Sequence, residues 1–194
     1  MRQMHMDHQR LTQEVAGDLA GVAQDISRLF SREHTLIRDR KIEAPDRAAF
    51  LLAAARSGDY DFETLRPLAV GVELLAEAVR DHFERLRPRA EGVDPSLAVL
   101  GGDRIYALGM RYICSVGRPD LIRIAAATVA DIAASEAEGG AEDALTPARR
   151  LAREERIFRA ALDMAAAAAA LDAKTRSALQ DASFACARRA AGVC

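Results

Sequence analysis

The side chains best suited to phosphate or metal chemistry stand close together. Arg80, His82, Glu84, Arg85, Arg87 and Arg89 follow one another over ten positions, with Phe83 among them. Arginines in such a run can hold a phosphate through paired N–H donors. Cations at a helix end also complement the helix dipole and need no ligand to account for them. His5, Asp7 and His8 could meet as metal ligands, but two histidines three apart at a chain start more often face solvent. Glu136, Glu138, Glu142 and Asp143 lack the spacing that puts carboxylates on one helical face and stand among glycines, so a solvated turn is expected. Cys114, between Ile113 and Val116 in an apolar helical run, is expected to be a buried, inert thiol. Cys114, Cys186 and Cys194 form no CxxC pair and no zinc spacing. An odd count without an export signal suits reduced thiols in a cytoplasmic protein. The chain has no GxSxG, no HExxH and no glycine-rich phosphate loop.

The elements that position these residues are helices. Alanine is about one residue in five, lysine occurs only at Lys41 and Lys174, and tryptophan is absent. Alanine and arginine are strong helix formers, while strand-favouring residues are sparse. The 194 residues carry 27 basic and 29 acidic side chains, which argues against a general nucleic-acid binder. Half the residues are hydrophobic, enough for a core, and no apolar run approaches the ~20 residues of a membrane span. The expectation is one all-α domain over 1–194, with residues 1–8 disordered.

Seven helices are predicted. The first covers 9–32, with Leu11, Val15, Leu19, Val22, Ile26 and Leu29 on one face. A polar connector leads to Pro45, which opens a second helix that Gly58 stops. Asp59 or Asp61 caps the third, whose seam runs Leu65, Leu68, Val72, Leu75, Val79 and His82 or Phe83 to Leu86. Pro67 is tolerated there if the helix starts near Thr64, and Pro88 ends it. Asp94-Pro95 opens a fourth helix to about Val116; Gly101-Gly102 inside it costs stability and implies close approach of a neighbouring backbone. Pro119 opens the fifth, with Leu121, Ile124, Thr128 and Ile132 on one face, up to Gly139-Gly140. Thr146-Pro147 opens the sixth, to about Leu171, and Asp172 caps the last, to about Ala191. Val70, Leu74 and Ala78 lie off the main seam of the third helix, which suits either an internal helix or a partner interface.

Helices three to five carry a resemblance. Val72-Glu73-Leu74-Leu75 with His82 resembles the "VELIH…HDD" helix of trans-polyprenyl diphosphate synthases, and Ala98-Val99-Leu100-Gly101-Gly102-Asp103 resembles their "AVLAGD" segment. Order and spacing agree over about 37–139. The resemblance implies an all-α isoprenoid-synthase-like bundle. Catalytic members have Asp-Asp-x-x-Asp, whose carboxylates hold Mg²⁺ on an allylic diphosphate. Aligned through His82, the positions here are Phe83, Glu84 and Arg87. The basic "GKRxRP" clamp falls near Arg40-Lys41-Ile42-Glu43-Ala44-Pro45, and the later "KT" site is met at best by Arg156-Ile157. The second aspartate-rich motif is expected beyond Cys194.

The pattern is similar to the small non-catalytic component (component I) of two-component heptaprenyl and hexaprenyl diphosphate synthases, most closely over 99–132. The resemblance implies no catalytic residue, metal or cofactor on this chain. It implies a catalytic partner that carries Mg²⁺, prenyl diphosphates in the complex, and a part in setting the chain length of a menaquinone side chain. Neither nucleic acid nor a membrane span is implied. His82, Arg80, Arg87 and Asp103 are the candidate substrate or partner contacts. Two rivals stand beside it: a helical ligand-binding transcriptional regulator, which needs a helix-turn-helix near the N-terminus, and a standalone degenerate terpenoid-binding protein.

Overall fold

The computed structural model describes residues 15–33, 35–38, 40, 42, 45–83, 95–138 and 146–193. Among these the chain forms α1 (Ala16–Ser31), the single turn α2 (Thr35–Arg38), α3 (Asp46–Ala55), α4 (Phe62–Phe83), α5 (Pro95–Ser115), α6 (Pro119–Ala137), α7 (Pro147–Ala168) and α8 (Ala173–Ala190). His5, Asp7, His8, Lys41, Glu43, Glu84, Arg85, Arg87, Arg89, Asp94, Glu142, Asp143 and Cys194 lie outside the described residues.

Local chemistry sets most helix ends. Asp61 accepts the Glu63 amide at 3.2 Å and the Thr64 hydroxyl at 2.6 Å, and so caps α4. Thr146 accepts the Arg149 amide at the start of α7, and Asp172 accepts the Thr175 amide at 2.6 Å at the start of α8. Gly117, at φ +74°, turns the chain between α5 and α6. Pro67 departs from expectation. The helix starts at Phe62, so the proline lies inside it and leaves the Glu63 carbonyl without its i+4 amide. Tertiary packing on both sides of α4 outweighs that loss.

α4 is the central element. It packs chiefly on α5 along one side and on α3, α7 and α1 elsewhere. Val70, Leu74 and Ala78, off the seam, are buried within the chain itself, which makes α4 an internal helix and not a partner face. Close approach to α5 depends on two glycines. A Cβ on Gly71 would stand 2.5 Å from Ile113 Cγ1 and 3.0 Å from the Gly109 carbonyl. The same surface explains Cys114. Ile105, Leu108 and Ile113 face α4, and one residue on, the helix has turned about 100°. Cys114 is therefore exposed, against the expected buried thiol, while Cys186 is buried. On α6 the buried residues are Leu121, Ala125 and Ile132. Ile124 and Thr128 are half-buried, so the predicted stripe is correct at its two ends and shifted by one position between.

Glu136 is a second departure. Its side chain is only 7 % exposed and takes Arg153 at 3.0 Å and Arg149 at 3.4 Å. The expected solvated turn is an ion-paired junction between α6 and α7, because α7 brings both arginines back against the end of α6. Glu138 is exposed as expected.

Candidate functional site

The C-terminal end of α4 lies against the first half of α5. There His82 Nε2 stands 3.1 Å from Asp103 Oδ1. Gly102 makes this contact possible. A Cβ at that position would stand 3.1 Å from His82 Nε2 and from Asp81 Cβ, so a larger residue would push the imidazole off its partner. One position back on α4, Asp81 is buried and forms an ion pair with Arg40. Arg40 in turn lies along Gly101, with Nη2 3.8 Å from where a Cβ would be. The two small residues expected to admit a neighbouring backbone thus admit polar side chains.

Phe83 is half-buried and packs against the hydrophobic core, its ring 6.1 Å from that of His82. In the alignment through His82 that the resemblance implies, this is the first of the aspartate-rich positions, and it offers no donor to a cation. The other two, Glu84 and Arg87, lie outside the described residues. Among the described residues no three His, Cys, Asp or Glu side chains converge as a metal site. These residues do not fit the Mg²⁺ that the resemblance associates with an aspartate-rich helix: one position is apolar, one is a cation in sequence, and the nearby Asp81 already holds a guanidinium.

Arg80, grouped with His82 by sequence, points elsewhere. It donates to Glu77 at 2.8 Å and reaches Glu154 of α7 at 3.3 Å. Glu154 also takes Arg47 of α3 through two hydrogen bonds, at 2.6 and 3.1 Å. Arg47 is 1 % exposed, and its Nη1 stands 3.8 Å from Glu73 Oε2. Burial works against the Arg47 charge, but Glu73 and Glu154 outweigh it and hold the guanidinium above its ordinary value. Burial pushes the Glu73 carboxyl up to about 7, against the pull of Arg47 and two backbone amides. Sequence reading missed this network. Its signal was Glu73, Glu77 and Asp81 at i, i+4 and i+8, which places three carboxylates on one stripe of the helix.

Of the four candidate contacts, His82 and Asp103 come together, Arg80 turns into the α3–α4–α7 network, and Arg87 is outside the described residues. Arg156, which meets the "KT" site at best, lies in a different setting. It lines an open groove of about 700 Å³ between α6 and α7, shared with Arg123, Arg159, Asp131 and Glu155. Ile157 beside it is buried.

No family model matches the chain. It is similar to heptaprenyl diphosphate synthase component 2 of Geobacillus stearothermophilus, 26 % identical over 139 residues, which is 64 % of this chain and 43 % of that protein. The decaprenyl diphosphate synthase of Rhodobacter capsulatus superposes with a TM-score of 0.71 at 27 % identity, over 92 % of this chain and 63 % of that one. A polyprenyl synthase of Caulobacter crescentus CB15, crystallised with calcium and isoprenyl diphosphate, gives 0.70 at 22 % identity over 91 % and 61 %. The bundle has the all-α isoprenoid-synthase fold. The chain spans less than two thirds of each of these proteins. The curated relative is component 2, not the component I that the sequence resembles most closely over 99–132.

Proposed function

We propose that this chain is the non-catalytic subunit of a heteromeric long-chain all-trans polyprenyl diphosphate synthase. Its partner is a catalytic subunit bearing Asp-Asp-x-x-Asp, which holds the Mg²⁺ and the prenyl diphosphates. This chain helps set product length for a menaquinone or other quinone side chain. The observation that carries the reading is the state of the aspartate-rich helix. Phe83 packs into the core where the first carboxylate would stand, Arg87 replaces the last one, and His82 is held by Asp103. A leaving diphosphate needs metal-bound carboxylates there, and a guanidinium repels the metal. Similarity to a protein named as one component of a heptaprenyl diphosphate synthase supports a partner.

The test is reconstitution. The purified chain, given Mg²⁺, farnesyl diphosphate and isopentenyl diphosphate, gives no product alone. Long-chain product forms when a catalytic subunit encoded beside it is added, and the two co-purify. Turnover by the chain alone, or no association with any such subunit, overturns the proposal.

A further inference from the structure

The N-terminus of α3 has no capping side chain of its own. Pro45 occupies the N-cap position and makes no side-chain hydrogen bond. The cap comes from α4 instead. Glu73 Oε1 accepts the amides of Arg47 at 2.5 Å and Ala48 at 3.1 Å. These are the second and third residues of α3, whose amides have no partner within their own helix. Glu73 is fully buried, and its other oxygen, Oε2, accepts no hydrogen bond.

A carboxylate left in this state is expensive. Its bare oxygen is buried and meets no protein donor, and the nearest guanidinium nitrogen stands 3.8 Å away. That guanidinium is committed to Glu154 through its Nε and Nη2. The same oxygen as a neutral hydroxyl without a partner costs far less. The carbonyl oxygen of a protonated carboxyl still accepts both α3 amides. Arg47 of α3 and Glu77 of α4 are the charged groups that act on Glu73 directly; Asp46 of α3 and Glu154 of α7 act on Arg47, and Arg80 of α4 pairs with Glu77 and Glu154. On the opposite side of α4, at Gly71, the nearest atoms of α5 belong to Gly109 and Ile113.

We propose that Glu73 is a proton-operated clasp: protonated, it holds the start of α3 on α4, and loss of the proton loosens that joint. Burial lifts the carboxyl from the ordinary glutamate range to about 7, in the same direction. The sign follows from linkage. A carboxyl raised in the folded state binds more protons there than in the unfolded chain, so stability is present at low pH and is lost as pH rises toward the folded value.

The experiment compares the full chain with Glu73→Gln, which keeps the carbonyl acceptor and cannot ionise. Thermal melting is followed between about pH 5 and pH 8.5. The wild-type midpoint is expected to fall by about 5 °C or more across neutrality, and the variant's profile to be flat in that window. A wild-type profile that is flat, or a fall that survives in Glu73→Gln, overturns the clasp. Carbon-13 NMR of glutamate-labelled wild type gives a readout that does not depend on the variant folding. One carboxyl carbon titrating near neutrality is expected, and none titrating above about pH 5.5 overturns the proposal.

Discussion

Replacing Arg47 by methionine tests whether the α3–α4–α7 network holds the bundle together. The aliphatic stem is kept, so the loss is the guanidinium. It removes two charge-assisted hydrogen bonds to Glu154, at 2.6 and 3.1 Å, and the cation 3.8 Å from Glu73. Each such bond contributes about 1.5 to 3 kcal/mol. The partners left behind are 0 % exposed at Glu73 and 3 % at Glu154, and Glu154 retains only Arg80 at 3.3 Å. Breaking a buried pair from one side costs about 3 to 5 kcal/mol, because the remaining charge is stranded. That is a large share of the roughly 5 to 15 kcal/mol that stabilises a domain. The assay is urea unfolding followed by far-UV circular dichroism, near pH 8 and near pH 5. The deficit is expected to be larger at the higher pH. Without the guanidinium, the buried Glu73 carboxyl loses the pull that opposes its burial and holds its proton to higher pH, and protonation relieves it as pH falls. Adding Glu154→Leu to Arg47→Met should restore part of the loss by removing one stranded carboxylate. The control is Arg104→Met, which breaks a surface pair with Glu33 at 2.9 Å and should cost under about 1 kcal/mol. If Arg47→Met costs no more than that control at either pH, the network is not a stabilising element and the reasoning fails.

Two further outcomes follow from the packing. Gly71→Ala should destabilise the chain by about 1 to 3 kcal/mol, less the helix propensity gained, because the new methyl meets Ile113 and the Gly109 backbone; Gly17→Ala, with open space around it, should be neutral or stabilising, and denaturant midpoints decide both. In the native state a maleimide should label Cys114 well before Cys186, with the sites located by peptide mass spectrometry, since Cys114 is exposed while burial pushes the Cys186 thiol up.

The helices were legible because their signals are local. Pro119 and the cap-proline pair Thr146-Pro147 open helices at the expected residues, Asp172 caps one, and Gly117 closes one. Each is decided within one turn of chain, by a missing amide, a fixed φ or a side-chain acceptor. The resemblance on Val72 to Asp103 likewise pointed to the fold that the structural comparisons share. His82 and Asp103 were singled out and meet, because Gly102 in the sequence leaves room for the imidazole.

What tertiary structure alone decided is which charges pair. Arg47 and Glu154 are 107 positions apart, and Arg47 and Glu73 are 26 apart, so no spacing rule connects them. Arg80 reads as part of a basic surface run until α7 places Glu154 beside it. Cys114 reads as buried until the α4–α5 contact fixes which face of α5 turns inward. Periodicity states that a face exists, but the partner helix determines which residues lose water. Sequence therefore set the helices, their ends and the absence of carboxylates at Phe83 and Arg87. Packing then set Glu73 beside Arg47 of α3 and Asp81 beside Arg40, because only the assembled bundle brings these distant segments together.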